Sequence, residues 1–329
     1  MNKSVAFGLS TGVHPYGFPD REWFGSLCAN IEAWGFDDVV CYVDRPTWPH
    51  PVLDPLVLLS VAAASTRKAR LIGMVIAPHW PALLLAKQVA SIDFLSGGRV
   101  TLGLAIGGDY PAEMRGCGVE PRERVARTEE AIAAMRALWG EGPATLEGRF
   151  QRLDGLAQRP RPAQGTIPLW LAHRGRADAA ARRSALLADG WMPSWVSPSR
   201  LRRVRDQMRA LAEAAGRDFS KFEVGHVIRV YFSDTVEQAA ERMARFRENV
   251  WGHPYQPGLV AHLQAVGPPD ACRLRLAEFV AAGADRICLQ AECRWEEFED
   301  QLHLIRTEIL ERRDEILSMA ESIEARTAG

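Results

Sequence analysis

Residues 70–105 read RLIGMVIAPHWPALLLAKQVASIDFLSGGRVTLGLA. Arg70–Ile76 is an apolar run of strand length. Pro81–Leu95 carries leucine, alanine and valine at helical spacing, and Val100–Ala105 is a second apolar run. A strand, a helix and a strand in so short a span imply parallel strands joined by a helical crossover. The unit recurs in both directions. Upstream lie a strand at Val5–Ser10 and a helix at Asp20–Trp34, with Trp23, Leu27 and Ile31 on one stripe and Gly35 as its stop. A strand at Val39–Val43 follows, then a helix at Asp54–Ser65, with Asp54 placed as N-cap and Pro55 at the first helical position. Downstream, Arg122–Trp139 is a long helix. Leu169–Ala172, Gly190–Met192, Val224–Phe232 and Arg286–Gln290 are strands. Asp178–Leu187, Ser199–Ala215, Val236–Glu248 and Pro269–Ala282 are helices, and Trp295–Ala325 reads as helix throughout.

Eight strands, each followed by helix, predict an α/β fold of (β/α)8 TIM-barrel type in a chain of 329 residues. A doubly wound sheet is the alternative, but no GxGxxG turn follows the first strand. The whole of 1–329 reads as one barrel domain ending in helix. An insertion at about 140–168 separates the fourth helix from the fifth strand and contains a hairpin-like stretch, Ala144–Leu153. A second irregular segment, about 249–264, is expected to be a mobile loop.

The composition narrows the function classes. Forty Lys+Arg stand against 41 Asp+Glu, and 47% of residues are hydrophobic. The balanced charge gives no footprint for nucleic acid. No apolar run approaches the roughly 20 residues of a membrane helix, and the N-terminus lacks the apolar core of a signal peptide. A cytoplasmic protein with no membrane partner is expected. The six cysteines form no CxxC and read as buried free thiols. No Cys/His spacing suits a metal, and no G-x-S-x-G elbow is present. Chemistry carried by an organic cofactor is therefore favoured.

A barrel of this type builds its site from the loops after the strands. Those loops carry His14 and Tyr16, then Asp44, Arg45, Trp48 and His50. They continue with the stretch from Met74 to Trp80, then Gly107, Gly108, Asp109 and Tyr110, the run from His173 to Arg176, and Ser194 with Trp195. Such a mouth suits a planar cofactor and an organic substrate. The turn His173-Arg174-Gly175-Arg176, just before a helix, is the best candidate for an anion such as a cofactor phosphate.

The run Ala86-Lys87-Gln88 to Asp93, followed by Leu95-Ser96-Gly97-Gly98-Arg99, resembles the core of the bacterial luciferase-like monooxygenase superfamily. So do Gly107-Gly108-Asp109-Tyr110-Pro111, Pro168-Leu169-Trp170-Leu171-Ala172, Asp189-Gly190-Trp191-Met192-Pro193 and, near the last strand, Gly267-Pro268-Pro269. The resemblance spans nearly the whole chain in order. It implies a barrel that binds reduced FMN, or alternatively the deazaflavin F420, at its mouth. With FMN, delivered by a separate flavin reductase, dioxygen would oxidise a hydrophobic or aromatic small-molecule substrate. With F420, a hydride would pass between cofactor and substrate. A non-catalytic flavin-binding protein is a further alternative.

The resemblance also assigns residues. Asp44 would contact the ring, and Asp44, His14 and His79 are the candidates for proton transfer. Arg45 stands where the family usually has histidine. Met74, Val75 and Ile76 would support the ring, with a non-prolyl cis peptide at Met74–Val75. Gly107, Gly108 and Ala172 would line the cofactor, and His173, Arg174, Gly175 and Arg176 would hold its phosphate. Trp48, Trp80, Tyr110 and Trp195 would meet the substrate, and the 140–168 insertion would lid it. Apolar surface at Trp23, Leu56–Leu59 and Leu83–Leu85 points to a homodimer.

Overall fold

The computed structural model describes residues 5–12, 20–42, 45–48, 50–252 and 254–328. Eleven strands lie among them: β1 (Ala6–Ser10), β2 (Asp38–Tyr42), β3 (Arg70–Ile76), β4 (Val100–Ala105), β5 (Ala144–Glu147), β6 (Arg152–Leu156), β7 (Leu169–Ala172), β8 (Gly190–Met192), β9 (Glu223–Phe232), β10 (Ala265–Gly267) and β11 (Arg286–Ala291). The helices are α1 (Trp23–Trp34), α2 (Pro55–Ser65), α3 (Ala82–Ser96), α4 (Pro111–Gly116), α5 (Arg124–Trp139), α6 (Asp178–Leu187), α7 (Pro198–Ala214), α8 (Val236–Trp251), α9 (Pro257–Leu263), α10 (Pro269–Ala281), α11 (Trp295–Leu304) and α12 (Arg313–Ala328).

Eight strands close a parallel barrel in the order β1-β2-β3-β4-β7-β8-β9-β11, with β11 returning to β1. These are the eight strands read from the sequence. The closing register sets Phe7 beside Ile287 and Leu9 beside Leu289. Strand β10 extends the wall by pairing with the far end of β9, Ala265 opposite Val230. The barrel interior holds Val40, Ile72, Trp170, Met192, Val227 and Cys288. Two glycines make room for the Trp170 indole. A Cβ at Gly190 would come within 2.4 Å of it, and one at Gly225 within 2.2 Å. Local signals hold where they were read. The Asp54 carboxylate accepts the backbone N–H groups of Leu56 and Val57 at 2.8 and 3.0 Å, with Pro55 at the first helical position.

Four features differ from the sequence reading. The C-terminal helix is interrupted: α11 passes into a wide π-type turn, Ile305–Leu310, before α12 begins. Ile305, Ile309 and Leu310 are all buried, and the wider turn lets them face the core together. The 249–264 segment is not all loop: it contains the end of α8 and all of α9. The Met74–Val75 peptide is trans, the cis bond among the described residues being Arg159–Pro160. The ladder explains this: β3 pairs residue by residue with β4 through Val75–Leu104 and Ile76–Ala105. The insertion does form a hairpin, β5 with β6, but it is pinned to the outside of the barrel. Gln158 donates to the Ala86 carbonyl at 3.3 Å, and Glu130 accepts from the N–H groups of Phe150 and Gln151 at 2.7 and 3.0 Å. None of its residues lines the mouth cavities described below.

All six cysteines are free, and burial pushes the thiols of Cys28 and Cys272 up to about 12. Among the described residues, no helix is long and apolar enough to cross a membrane.

Candidate active site at the barrel mouth

Two adjoining cavities open where the strands end. The larger is about 490 Å³ and the smaller about 360 Å³. They share Met74 from β3, Ala105 from β4, Ala172 from β7, and the loop residues Asp109, Tyr110, His173 and Arg174, together with Trp251 from α8. Met192 and Val227 add to the floor of the larger lobe. Strand alternation sends every second side chain inward, which makes Met74 and Ile76 lining residues. The same alternation corrects the expectation for Val75, whose side chain is fully buried in the core outside the barrel.

Gly107 and Gly108 line the smaller lobe with φ of 64° and 119°. At Gly107 a Cβ would lie 2.7 Å from Ile76 Cγ2, so this backbone must stay bare. His79 lines the same lobe from the single helical turn after β3. His14 and Asp44 lie outside the described residues. Tyr110 and Trp195 line the larger lobe as expected. Trp48 and Trp80 do not line either lobe. Trp48 packs behind Trp251, ring centroids 4.6 Å apart, while Trp80 lines a separate cavity beside Pro46 and Val52.

The anion turn is built as a tight bend. Gly175 has φ 60° and is packed against Val204 and Trp191, while Arg174 and Arg176 are exposed on either side. Arg174 lines both lobes, whereas Gly175 and Arg176 lie at the turn beyond them. No side chain caps the start of α6. The His173 ring is spent on the bend. Its Nδ1 accepts the Gly175 N–H at 3.1 Å, so the proton sits on Nε2, which is 2.9 Å from Ser184 Oγ. Burial, with Arg183 nearby, lowers its pKa to about 4, so it is neutral at pH 7.

Arg45 is locked in a clamp. Its Nε lies 3.0 and 3.1 Å from the two oxygens of Glu113, and Thr47 Oγ1 donates to the same carboxylate at 2.8 Å. The guanidinium lies 3.3 Å from the centre of the Tyr110 ring. Arginine does not lose its proton in proteins, so Arg45 provides a fixed positive charge and cannot act as an acid or base.

A third group was not read from the sequence. Arg229, Arg247 and Glu292 are 5%, 3% and 2% exposed and form one ionic cluster at the wall of the larger lobe. Burial disfavours the Arg247 cation, but Glu292 and Tyr255 beside it hold its pKa above the ordinary arginine value. The legible signal is Arg229, a charge between the apolar residues Ile228 and Val230 of β9. Arg247 and Glu292 carry no local signal, because the pairing of β9 with β11 and the packing of α8 on β9 are what bring the three together.

The luciferase-like monooxygenase family profile matches residues 9–286, and the chain belongs to that family. An uncharacterized protein of Mycobacterium tuberculosis is 37% identical over 142 residues, 43% of this chain and 49% of that protein. The FMNH2-dependent dimethylsulfone monooxygenase of Pseudomonas putida is 29% identical over 184 residues, covering 55% of this chain and 49% of the enzyme. The chain thus matches about half the length of these curated relatives. Among solved structures, a monooxygenase from Streptomyces bottropensis superimposes with a TM-score of 0.79 at 23% identity, over 94% of this chain and 99% of that one. An F420-dependent secondary alcohol dehydrogenase also reaches 0.79, at 19% identity, over 93% and 98%. Both likenesses concern the fold alone.

Proposed function

We propose that the chain is a reduced-flavin-dependent oxidoreductase that binds FMN at the barrel mouth and uses dioxygen to oxidise a hydrophobic or aromatic organic molecule. The observation that carries this reading is the pair of joined lobes over a floor of Met74, Ala105 and Ala172. The partial match to an FMNH2-dependent monooxygenase supports the choice of FMN.

The residues present fit a flavin. The bare backbone at Gly107 lets a flat ring approach closely. The turn at Gly175, with Arg174 and Arg176 beside the uncapped start of α6, suits a phosphate. Bound reduced flavin would supply the electrons and the reaction with dioxygen. The chain's part is to bind, orient and keep water out. Met74, Ile76, Met192 and Val227 provide an apolar floor, and Trp195 and Trp251 provide aromatic walls for the substrate. Of the three candidates for proton transfer, His79 is the one within the described residues, and it faces the smaller lobe.

Val57, Leu83 and Leu84 are exposed on α2 and α3, which favours a homodimer through this face. Trp23 is instead spent inside the chain, against Trp295 and Phe298. The Val57→Lys/Leu84→Lys variant is expected to be monomeric by light scattering while the parent protein is dimeric. A dimeric variant would move the interface elsewhere.

The deciding experiment is anaerobic titration of the cofactor-free protein with reduced FMN and, separately, reduced F420, followed by admission of oxygen. Tighter binding of FMN and oxygen uptake with an organic substrate support the reading. Preference for F420 replaces it with hydride transfer. FMN binding without turnover of any substrate leaves a flavin-binding protein, and binding of neither cofactor contradicts the site.

A further inference from the structure

Arg45 is gripped at one edge and on its face. Its Nε bonds both oxygens of Glu113, and Thr47 Oγ1 donates to the same carboxylate. The guanidinium lies 3.3 Å from the centre of the Tyr110 ring and 5.5 Å from that of Trp48. The Arg45 side chain is 9% exposed and that of Glu113 4%. None of these hydrogen bonds uses Arg45 Nη1, which is buried without a hydrogen-bond partner. A buried donor left unpaired is costly. Arg45 lines the smaller lobe, where Ile76 and Met114 give apolar surface beside the bare backbone of Gly107.

Charge decides what the unused donor is for. One cation meets one carboxylate in the clamp, so the pair has no net charge with which to draw an anion. The other charged residues of this lobe, Asp109 and Arg174, are also one of each sign. What the clamp lacks is a neutral acceptor.

We propose that Arg45 is a specificity residue whose Nη1 donates to a neutral carbonyl oxygen of the molecule in the smaller lobe. That oxygen belongs either to a ketone or aldehyde substrate or to the flavin ring. The proposal deepens the flavin reading and rests on it only for which molecule carries the carbonyl. A guanidinium donor makes a charge-assisted hydrogen bond. Glu113 and Tyr110 fix the side chain in advance, so little of its rotamer freedom is left to lose on binding.

The test uses the full chain without flavin, titrated by calorimetry with acetophenone, with ethylbenzene, which lacks the oxygen, and with the anion benzoate. Acetophenone is expected to bind about 10-fold or more tightly than ethylbenzene, and benzoate no more tightly than acetophenone. The Arg45→Met/Glu113→Gln variant removes both charges together, so neither is left buried alone. It should abolish the ketone preference and keep ethylbenzene binding. Glu113→Gln alone frees the cation and should raise benzoate binding relative to acetophenone, a gain that misfolding cannot mimic. Acetophenone binding beside bound FMN assigns the carbonyl to the substrate. Displacement of FMN by acetophenone, with about 10-fold weaker FMN binding in the double variant, assigns it to the ring.

Tighter binding of benzoate than of acetophenone by the parent protein would overturn the proposal. So would equal loss of acetophenone and ethylbenzene in the double variant, which is a structural role alone. Unchanged ketone preference together with unchanged FMN affinity in that variant would also overturn it, since water would then suffice for Nη1. If the ketone preference depends on Arg45 but the parent protein does not bind reduced FMN, the flavin reading fails and the carbonyl reading stands. If FMN binds parent and variant equally and no ketone preference exists, the flavin reading stands and the proposal falls.

Discussion

The two ends of the barrel are both rich in arginine, and they use it in opposite ways. At the N-terminal end lies the larger cavity, about 950 Å³, lined by Arg70, Arg205, Glu223, Asp285 and Arg286 among others. The charges along its sheet edge are committed to holding the strands. Arg70 bonds Glu223 at 2.5 Å, and Arg286 bonds Asp38 at 3.2 Å and Glu223 at 3.3 Å. Asp37 accepts the Phe7 N–H at 2.8 Å, and Asp285 accepts the Val224 N–H at 2.8 Å. Burial pushes the Asp38 carboxyl up to about 6 in spite of Arg286 and Arg70. At the C-terminal end the cavities are smaller, but arginines there lie against aromatic rings and bare glycine backbone, and two of them share a single carboxylate. Volume therefore does not choose the site. Apolar floor beside aromatic rings and bare glycine backbone does.

The sharpest way to break this contrast is to remove a cation from each end. Arg286→Ala leaves Asp38 buried without its nearest partner. It is expected to cost about 3–5 kcal/mol of stability, measured by denaturant unfolding, with FMN affinity unchanged. The Arg174→Ala/Arg176→Ala variant is expected to do the opposite: roughly 10-fold or weaker binding of reduced FMN, measured by anaerobic titration, with the unfolding midpoint unchanged. If Arg286→Ala loses FMN and the Arg174→Ala/Arg176→Ala variant keeps it, the assignment of the two ends is reversed.

The smallest effect concerns pH. Burial lowers the pKa of His226 to about 3 and that of His173 to about 4. Below the ordinary histidine value near 6.5 the unfolded chain therefore takes up protons that the native state does not, and stability falls as pH drops. Asp38 acts in the other sense. The native state keeps its proton up to about pH 6 while the unfolded chain loses it near 4, so its contribution falls as pH rises. Between pH 5 and 6 two imidazoles oppose one carboxyl, and net stability should rise with pH by about 1 kcal/mol per unit. The His226→Phe variant should nearly flatten that slope in thermal or urea unfolding. An unchanged slope would mean that His226 titrates normally.

Much of the barrel was legible because its strands are short apolar runs bounded by turn residues, with an explicit cap at Asp54. Four strands, β3, β4, β7 and β8, begin and end where the sequence placed them. The break at Ile305–Leu310 was not legible, because the hydrophobic period continues through it and only packing asks three neighbours to turn inward. Strand β10 is three residues long and exists through its partner. At the site, the glycines, Met74, Ile76, Tyr110, Arg174 and Trp195 could be read from their place after strands. The resemblance and their place after strands both point Val75, Trp48 and Trp80 to the mouth. Their side chains go elsewhere because alternation turns Val75 outward and Trp251 from α8 stands in front of Trp48. Arg229, Arg247 and Glu292 are separated by 18 and 45 positions, as Arg229 to Arg247 and Arg247 to Glu292. No local pattern joins them before the barrel closes.

The most direct test is a crystal structure of the full chain grown anaerobically with reduced FMN. The account predicts the ring over Met74, Ala105 and Ala172, with the phosphate at the Gly175 turn beside Arg174 and Arg176. Flavin bound at the opposite end, among Arg70, Arg205 and Arg286, or a mouth left empty at saturating FMN, would contradict it.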